Sequence, residues 1–400
     1  MVPTMWAQAY DKSATVKHIH YLPEYALSDI VTGGDVSLSF RLRWLFSALL
    51  PCFLTVVAMA QNPAPSASPT SSPESSYAEE RDWATVCEQA MAKPLAQSPH
   101  RAKTAAHNSF RKSLSSCDSS TLYYGIGQAP DYEAALHCAL YERAHPDPAV
   151  GNMFAGPGVL AMLYANGRGV PLDYNRAIRY ACEIPWAAEA EMALRVGHLE
   201  YLRDHAPANA AFDLCDDITS GLNDGACTSI QTSLADVVRD RKIAAIADQL
   251  PAESRHLFRT LQAAEQSFED ARVSNEVDLS GSSHAAFELE DAAKLRDQFL
   301  LNLERMGRGD LPAASATDLA ALDRQLNELY QKLQHAPKSQ KELWGTIRPE
   351  GIRATERKWL LLLEAWVKFS KTAYPKLAET SIRAHLLSLR LEQLRELDSN

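Results

Sequence analysis

The 400-residue sequence lacks the short motifs that mark common catalytic and nucleotide-binding sites. It has no G-x-S-x-G elbow, no Walker-type phosphate loop and no H-E-x-x-H zinc helix. Serine stands beside histidine at Ser283-His284, but neighbours in sequence do not make a catalytic triad. We therefore predict no catalytic residue, no cofactor and no metal site, and we interpret the chain as a binding protein.

Cysteine is missing after residue 227, and no two cysteines have C-x-x-C spacing. This pattern excludes a zinc knuckle and a thioredoxin-type redox site. Apart from Cys52, which lies in an apolar run, six cysteines remain. An even number in an exported chain indicates disulfides, and six cysteines allow 15 pairings. The candidates are Cys87, Cys117, Cys138, Cys182, Cys215 and Cys227.

Long hydrophobic runs are equally scarce, and the prominent one covers residues 44–60. Arg41 and Arg43 precede it, and Ala58-Met59-Ala60 closes it. A basic start, an apolar centre and a small-x-small end are the three parts of a secretory signal. We predict that residues 41–60 are a signal peptide and that the protein is exported to the periplasm or cell envelope. The alternative is an uncleaved membrane anchor.

The segments around this signal are not expected to fold. Residues 1–40 precede it, so we interpret them as an extension without ordered structure, upstream of the natural start. Residues 61–80 are rich in Pro and Ser and predict a flexible linker. The net charge of −10 leaves no basic footprint, which argues against a nucleic-acid binder.

Residues 81–227 contain the pattern G-x-G-x-x-x-D-Y-x-x-A-[LI] twice. We expect each copy to be a helix–turn–helix unit, because glycine closes a helix in the left-handed conformation and aspartate caps the next one. Each unit leaves an apolar face open, so neighbouring units must stack. The repeat-turn positions are Gly125, Gly127 and Asp131 in the first copy and Gly167, Gly169 and Asp173 in the second.

The stretch 160–181, which contains the second copy, resembles a Sel-one-like repeat, a relative of the tetratricopeptide repeat. The resemblance implies that residues 81–227 form a short right-handed helical solenoid that binds proteins. Exported, cysteine-rich members of that family staple their helix hairpins with disulfides, which implies a bridge between Cys117 and Cys138. The partners of the other four cysteines stay open.

Residues 228–400 are dominated by long amphipathic patterns. Apolar residues recur at helical intervals over 319–333, 359–369 and 387–394, which predicts three helices. Residues 261–268 parallel 352–359, and Arg296 parallels Arg390, so we predict two copies of a three-helix module, at 228–306 and 316–400. Residues 228–306 hold fourteen acids and nine bases, and residues 316–397 hold ten acids and fourteen bases.

The second copy resembles the N-terminal domain family of the lysozyme inhibitor LprI. It carries D-x-x-L-N-x-x-Y at 323–330, followed by a match to the family's L-R-x-A-Q-R-x-W at 352–359 and an arginine-bearing third helix. The family's loop cysteines are absent, so the resemblance covers the helices and not that loop. The module-signature residues are Asp323, Asn327, Tyr330, Arg353, Glu356, Trp359 and Arg390.

The sequence thus predicts an all-α protein, with a short helical-repeat solenoid followed by two copies of a three-helix-type module. The resemblance implies an exported protein-binding factor that inhibits a lysozyme by surface binding, without catalysis. The acidic first module would attract a cationic partner such as a lysozyme. The alternatives are a scaffold that assembles envelope proteins and an enzyme of unrecognised type. The sequence leaves the oligomeric state open.

Overall fold

The computed structural model describes residues 82–95, 117–146, 153–185, 187–205 and 210–399. This part of the chain is all-α, as predicted, with thirteen α-helices, one 3₁₀ turn at Leu214–Asp217 and no strand. The predicted extension, signal peptide and linker lie outside the described residues. The helices are α1 Trp83–Ala92, α2 Ser119–Tyr124, α3 Tyr132–Ala144, α4 Pro157–Asn166, α5 Tyr174–Ala181, α6 Glu189–His205, α7 Gly221–Gln249, α8 Ala252–Glu276, α9 His284–Arg308, α10 Ala316–Gln334, α11 Lys338–Leu343, α12 Pro349–Ala373 and α13 Glu379–Ser399.

The two glycine turns join α2 to α3 and α4 to α5 with the same geometry. Gly125 and Gly167 end the first helix of each pair with φ values of 74° and 61°. That left-handed conformation costs glycine little. Asp131 and Asp173 cap the second helices by accepting backbone N–H groups three residues on. The local chemistry of glycine and aspartate therefore sets both turns in the same way.

Three disulfides join the helices of the first half. Cys87 of α1 bonds to Cys182 at the end of α5, across 95 residues. Cys117 bonds to Cys138, the pair implied by the family resemblance, and holds the start of α2 on α3. Cys215 of the 3₁₀ turn bonds to Cys227 of α7. Each bridge limits the freedom of the unfolded chain and so favours the folded one.

Two hydrophobic cores lie along the chain, and α7 takes part in both. The first core extends from Cys87 to Leu234, and the second extends from Leu250 to Leu397. The early part of α7 buries Ile230 in the first core, and Ile243 near its other end packs against the second. The boundary expected at residue 227/228 therefore falls inside one continuous 29-residue helix.

The second core is built from two similar helix trios, α7–α8–α9 and α10–α12–α13. In each trio the first and third helices run parallel and pack closely. The contacts that set these directions are Gly221 to Ser283 and Asp236 to Arg296 in the first trio, and Ala314 to Ser381 and Lys332 to Asp398 in the second.

The middle helices of the two trios, α8 and α12, pack against each other in antiparallel fashion over most of their length. Thr355 donates its hydroxyl to the carbonyl oxygen of Ala271 at 3.0 Å. Nearer the other end of α12, the rings of Phe369 and Phe258 lie 5.5 Å apart. This contact joins the two trios through their apolar faces. None of the described helices is long and apolar enough to cross a membrane.

Candidate functional site

A groove of about 580 Å³ lies between α10 and α12, with α13 beneath it. It exists because α10 packs along α13 and makes few contacts with α12. Six of the seven module-signature residues line this groove, and the seventh, Arg390, binds Glu356 from behind. The lining signature residues are Asp323, Asn327, Tyr330, Arg353, Glu356 and Trp359.

Helical spacing brings these side chains together. Asp323, Asn327 and Tyr330 are four and three residues apart on α10, so they share one face of that helix. On α12 the lining residues Arg353, Glu356, Arg357 and Leu360 are likewise three and four residues apart and share one face. The two faces oppose each other across the groove, which explains why residues separated in the sequence converge here.

The groove has an apolar floor and one apolar lip. Leu326, Trp359, Leu363 and Leu387 are buried at its base. Leu360 of α12 lines the groove and is 49% exposed, so it adds apolar surface beside the buried floor. An apolar floor with an exposed leucine beside it provides surface that a partner's side chains can cover.

Polar groups with unused hydrogen-bonding capacity surround this floor. Arg353 donates to the amide oxygen of Gln334 at 2.9 Å, which leaves its other donors available. Within the described part of the chain, the Asp323 carboxylate, the Tyr330 hydroxyl and the Arg357 guanidinium form no hydrogen bond or ion pair. The rim therefore offers both charges and a phenol for binding.

Arg390 anchors the groove from inside the core. Its side chain is fully buried and donates to both oxygens of Glu276 at 2.7 and 2.8 Å and to Glu356 at 3.0 Å. Burial alone would lower the pKa of Arg390, but the charges and hydrogen bonds of the two glutamates raise it. Glu276 belongs to α8, so Arg390 fixes the wall of the groove to the other trio.

Burial also acts on Glu356, the carboxyl between Arg390 and the groove. It raises the pKa of Glu356, and the charge of Arg390 opposes that effect without cancelling it. A buried ion pair of this kind is costly to form and more costly to break, because a lone charge would remain in the core. The ion pair of Arg390 and Glu356 thus holds the groove helices in position.

The other predicted residues lie outside the groove. The six repeat-turn residues are in the first half. A Cβ added at Gly125 would lie 2.6 Å from the backbone nitrogen of Pro130, and one added at Gly169 would lie 3.0 Å from the backbone of Tyr132. Among the described residues, one cluster has metal-ligand spacing, formed by Cys117, Cys138 and Glu142. The two sulfurs are bonded to each other, so they are not available as thiolate ligands.

Several residues that line the groove are not among those predicted from the sequence motifs. Arg357 follows Arg353 by four residues and Leu360 follows Glu356 by four, so helical spacing alone predicts that both line the groove. Arg383 lines it from α13 and binds Glu364 at 2.7 Å and Glu379 at 2.8 Å. Its place depends on how α13 packs, which no local pattern reveals.

The groove lining holds no serine, cysteine or histidine, and one of its two carboxylates, Glu356, is paired with Arg390. No protein-family model, no curated protein and no solved structure matches the chain.

Proposed function

We propose that this chain is an exported protein-binding factor of the periplasm or cell envelope that acts by surface complementarity and without catalysis. The observation that carries the proposal is the groove between α10 and α12. It combines a buried apolar floor, the exposed Leu360 and unpaired polar groups on its rim. Concave apolar surface with a few convergent polar groups is the usual chemistry of a binding site.

The dimensions of the groove favour a helical segment of a protein as its occupant. The lining residues of α10 extend from Ala316 to Tyr330. At 1.5 Å per residue, this length is about 21 Å, or roughly four helical turns. An amphipathic helix binds such a groove through apolar side chains spaced three and four residues apart.

Three disulfides support export. Bridges between helices form and persist in oxidising compartments, and all six cysteines of the described residues take part in them. The predicted signal at 41–60 supports the same location.

The partner class that we propose is a lysozyme, whose cleft the protein would block. Support comes from the family resemblance and from the convergence of its signature residues on one groove. The acidic character of residues 228–306 adds an attraction for cationic enzymes, since opposite charge speeds association.

Two neighbouring leucines allow a controlled test of the groove. Leu360 lines it, whereas Leu361 is 63% exposed and does not. The full chain, secreted with its own leader, is compared with Leu360→Glu and Leu361→Glu in a pulldown from an envelope fraction and in lysozyme assays on cell-wall substrate. Burying a charge at a contact costs more than about 1.4 kcal/mol, so Leu360→Glu should weaken binding at least about tenfold. Leu361→Glu should bind normally.

The outcomes also separate the alternatives. Unchanged lysozyme activity at a large molar excess of the protein would remove lysozymes from the proposal. Partner capture that survives Leu360→Glu would place binding elsewhere and favour a scaffold that acts through the first half of the chain.

A further inference from the structure

A second, smaller cavity lies where the two trios meet, and it shares two lining residues, Trp359 and Leu363, with the groove. Helices α8 and α9 line one side of it, and α12 and α13 line the other. Its volume is about 40 Å³. One water molecule needs about 10–15 Å³ by this measure, so the cavity has room for a group of roughly three heavy atoms.

The walls of this cavity are aromatic and its mouth is polar. Phe268, Phe299 and Trp366 are at most 5% exposed, and the rings of Phe299 and Trp366 lie 5.3 Å apart. Glu265 and Gln298 line the mouth and are partly exposed, so the cavity opens to solvent there.

Glu265 is the chemically unusual residue. Its carboxylate forms no hydrogen bond and no ion pair with any described residue, although it lies among aromatic rings. Burial and the negative charge of Glu269 raise its pKa to about 8. A carboxyl in such surroundings lacks the partner that buried charges normally have.

Comparison of the two trios shows why that partner is missing. Glu265 and Glu356 occupy matching positions in the parallel segments 261–268 and 352–359. Glu356 receives Arg390, but the matching Arg296 binds Glu269 and Asp236 instead. Glu265 thus matches Glu356 in position, but no arginine pairs with its carboxylate.

The charged groups around the cavity leave this carboxyl uncompensated. On α13, Arg390 lines the cavity but is occupied by Glu276 and Glu356. The lining residues of α9 and α12 carry no ionisable group. On α8 itself, Glu269 adds a like charge, which Arg296 only partly offsets.

His385 of α13 lies deeper and is not a substitute for a cation. Its Nε2 is 2.9 Å from the Oδ1 of Asn302, and burial lowers its pKa, so the ring is neutral near pH 7. Gln298 donates to the same Asn302 oxygen, which leaves the Oε1 of Gln298 without a donor among the described residues.

We propose that the Glu265 cavity is a binding site for a primary ammonium group, carried by a small amine or by a lysine side chain. The carboxylate would pair with the charge, the Gln298 amide oxygen would accept a second hydrogen bond, and the aromatic rings would contribute cation–π attraction. A metal ion fits less well because metal sites need several oxygen ligands. Glu265 and Gln298 line this cavity and not the groove proposed for the protein partner, so the two sites can be tested by different variants.

The pH dependence of binding follows from the chemistry of Glu265. Ammonium binds the ionised carboxylate, so at neutral pH the bound cation must displace a proton. Linkage then predicts that apparent affinity rises about tenfold from pH 6 to 7, about fivefold from pH 7 to 8 and less than about twofold from pH 8 to 9. A merely water-filled cavity would show no such dependence.

The test is a titration of the full exported chain with methylammonium chloride at pH 6, 7, 8 and 9. Calorimetry measures binding, and sodium chloride holds the ionic strength constant. Glu265→Gln should bind at least about tenfold more weakly, because it keeps the shape and loses the charge. Glu253→Gln, on the exposed first turn of the same helix, should bind like the native protein.

A second variant keeps the charge and removes the space. Leu389 lines the cavity and is partly exposed, so Leu389→Trp should block methylammonium while leaving Glu265 in place. A parallel titration with Nα-acetyl-lysine methylamide identifies the source of the amine. Binding of both probes supports a lysine side chain, and binding of methylammonium alone supports a free amine. No saturable methylammonium binding, or equal binding by native protein and Glu265→Gln, would overturn the proposal.

Discussion

The unpaired carboxyl of Glu265 should make the stability of the whole protein depend on pH in a direction opposite to that of most acidic groups. Its pKa is about 8 in the folded protein, against an ordinary value of 4.5. Below pH 4.5 the group is protonated in both the folded and the unfolded chain. Between pH 4.5 and 8 only the unfolded chain releases the proton, so stability falls as pH rises.

The size of this effect follows from the same values. A displacement from 4.5 to about 8 amounts to about 5 kcal/mol, at about 1.4 kcal/mol for each pH unit. Glu265 retains some contact with solvent, which screens part of that cost. We therefore expect a loss of about 2–5 kcal/mol between pH 4.5 and pH 9. Glutamine at this position has the same shape and cannot ionise.

The measurement is urea unfolding of the native protein, Glu265→Gln and Glu253→Gln at pH 5, 7 and 9, followed by circular dichroism. The other titrating groups are common to all three proteins, so they cancel in the difference between them. Glu265→Gln should gain about 2–4 kcal/mol relative to the native protein on going from pH 5 to pH 9, whereas Glu253→Gln should follow the native curve. A constant difference between Glu265→Gln and the native protein at all three pH values would refute this account of the cavity.

Two further predictions concern the first half of the chain. Replacing Cys87 and Cys182 by serine opens a 95-residue loop, and the chain-entropy relation puts the loss of stability at about 4.7 kcal/mol. Replacing Cys215 and Cys227 by serine opens a 12-residue loop, for which the same relation gives about 2.8 kcal/mol. In thermal melts, the Cys87/Cys182 double variant should therefore lose more stability than the Cys215/Cys227 double variant. Gly169→Ala should lower the free energy of unfolding in urea by about 2–4 kcal/mol, because Gly169 has a left-handed φ of 68° and an added Cβ would clash with Tyr132. Gly309 has a similar φ of 71° but open space around it, so Gly309→Ala should lower it by only about 1 kcal/mol. Equal losses in the two variants would contradict the close approach of Gly169 to Tyr132.

Much of the local structure could be predicted from the sequence. The turns at Gly125 and Gly167 follow from glycine and aspartate chemistry within a few residues, and the three amphipathic patterns of 316–400 correspond to α10, α12 and α13. These features depend on short-range rules. The Cys117–Cys138 bridge, which closes a single helix hairpin, is the pair that the family resemblance implies.

The features that matter for binding depend on contacts between distant segments. The groove exists because α10 packs on α13 and diverges from α12, which helical periodicity does not determine. Arg390 meets Glu276 across 114 residues, and nothing near either residue predicts the pair. Leu360 could have been recognised as one more apolar residue on α12, but not as the exposed lip of a groove.

The two trios show how one helical arrangement supports different sites. Their helices pack alike, yet Arg296 turns to Asp236 and Glu269 within its own trio, whereas Arg390 crosses to Glu276 of the other. That single difference fixes Glu356 beneath the groove and leaves Glu265 without a cation. The packing of α10 on α13 makes the groove, whereas the partners that each arginine selects decide which glutamate is paired and which is left without a cation.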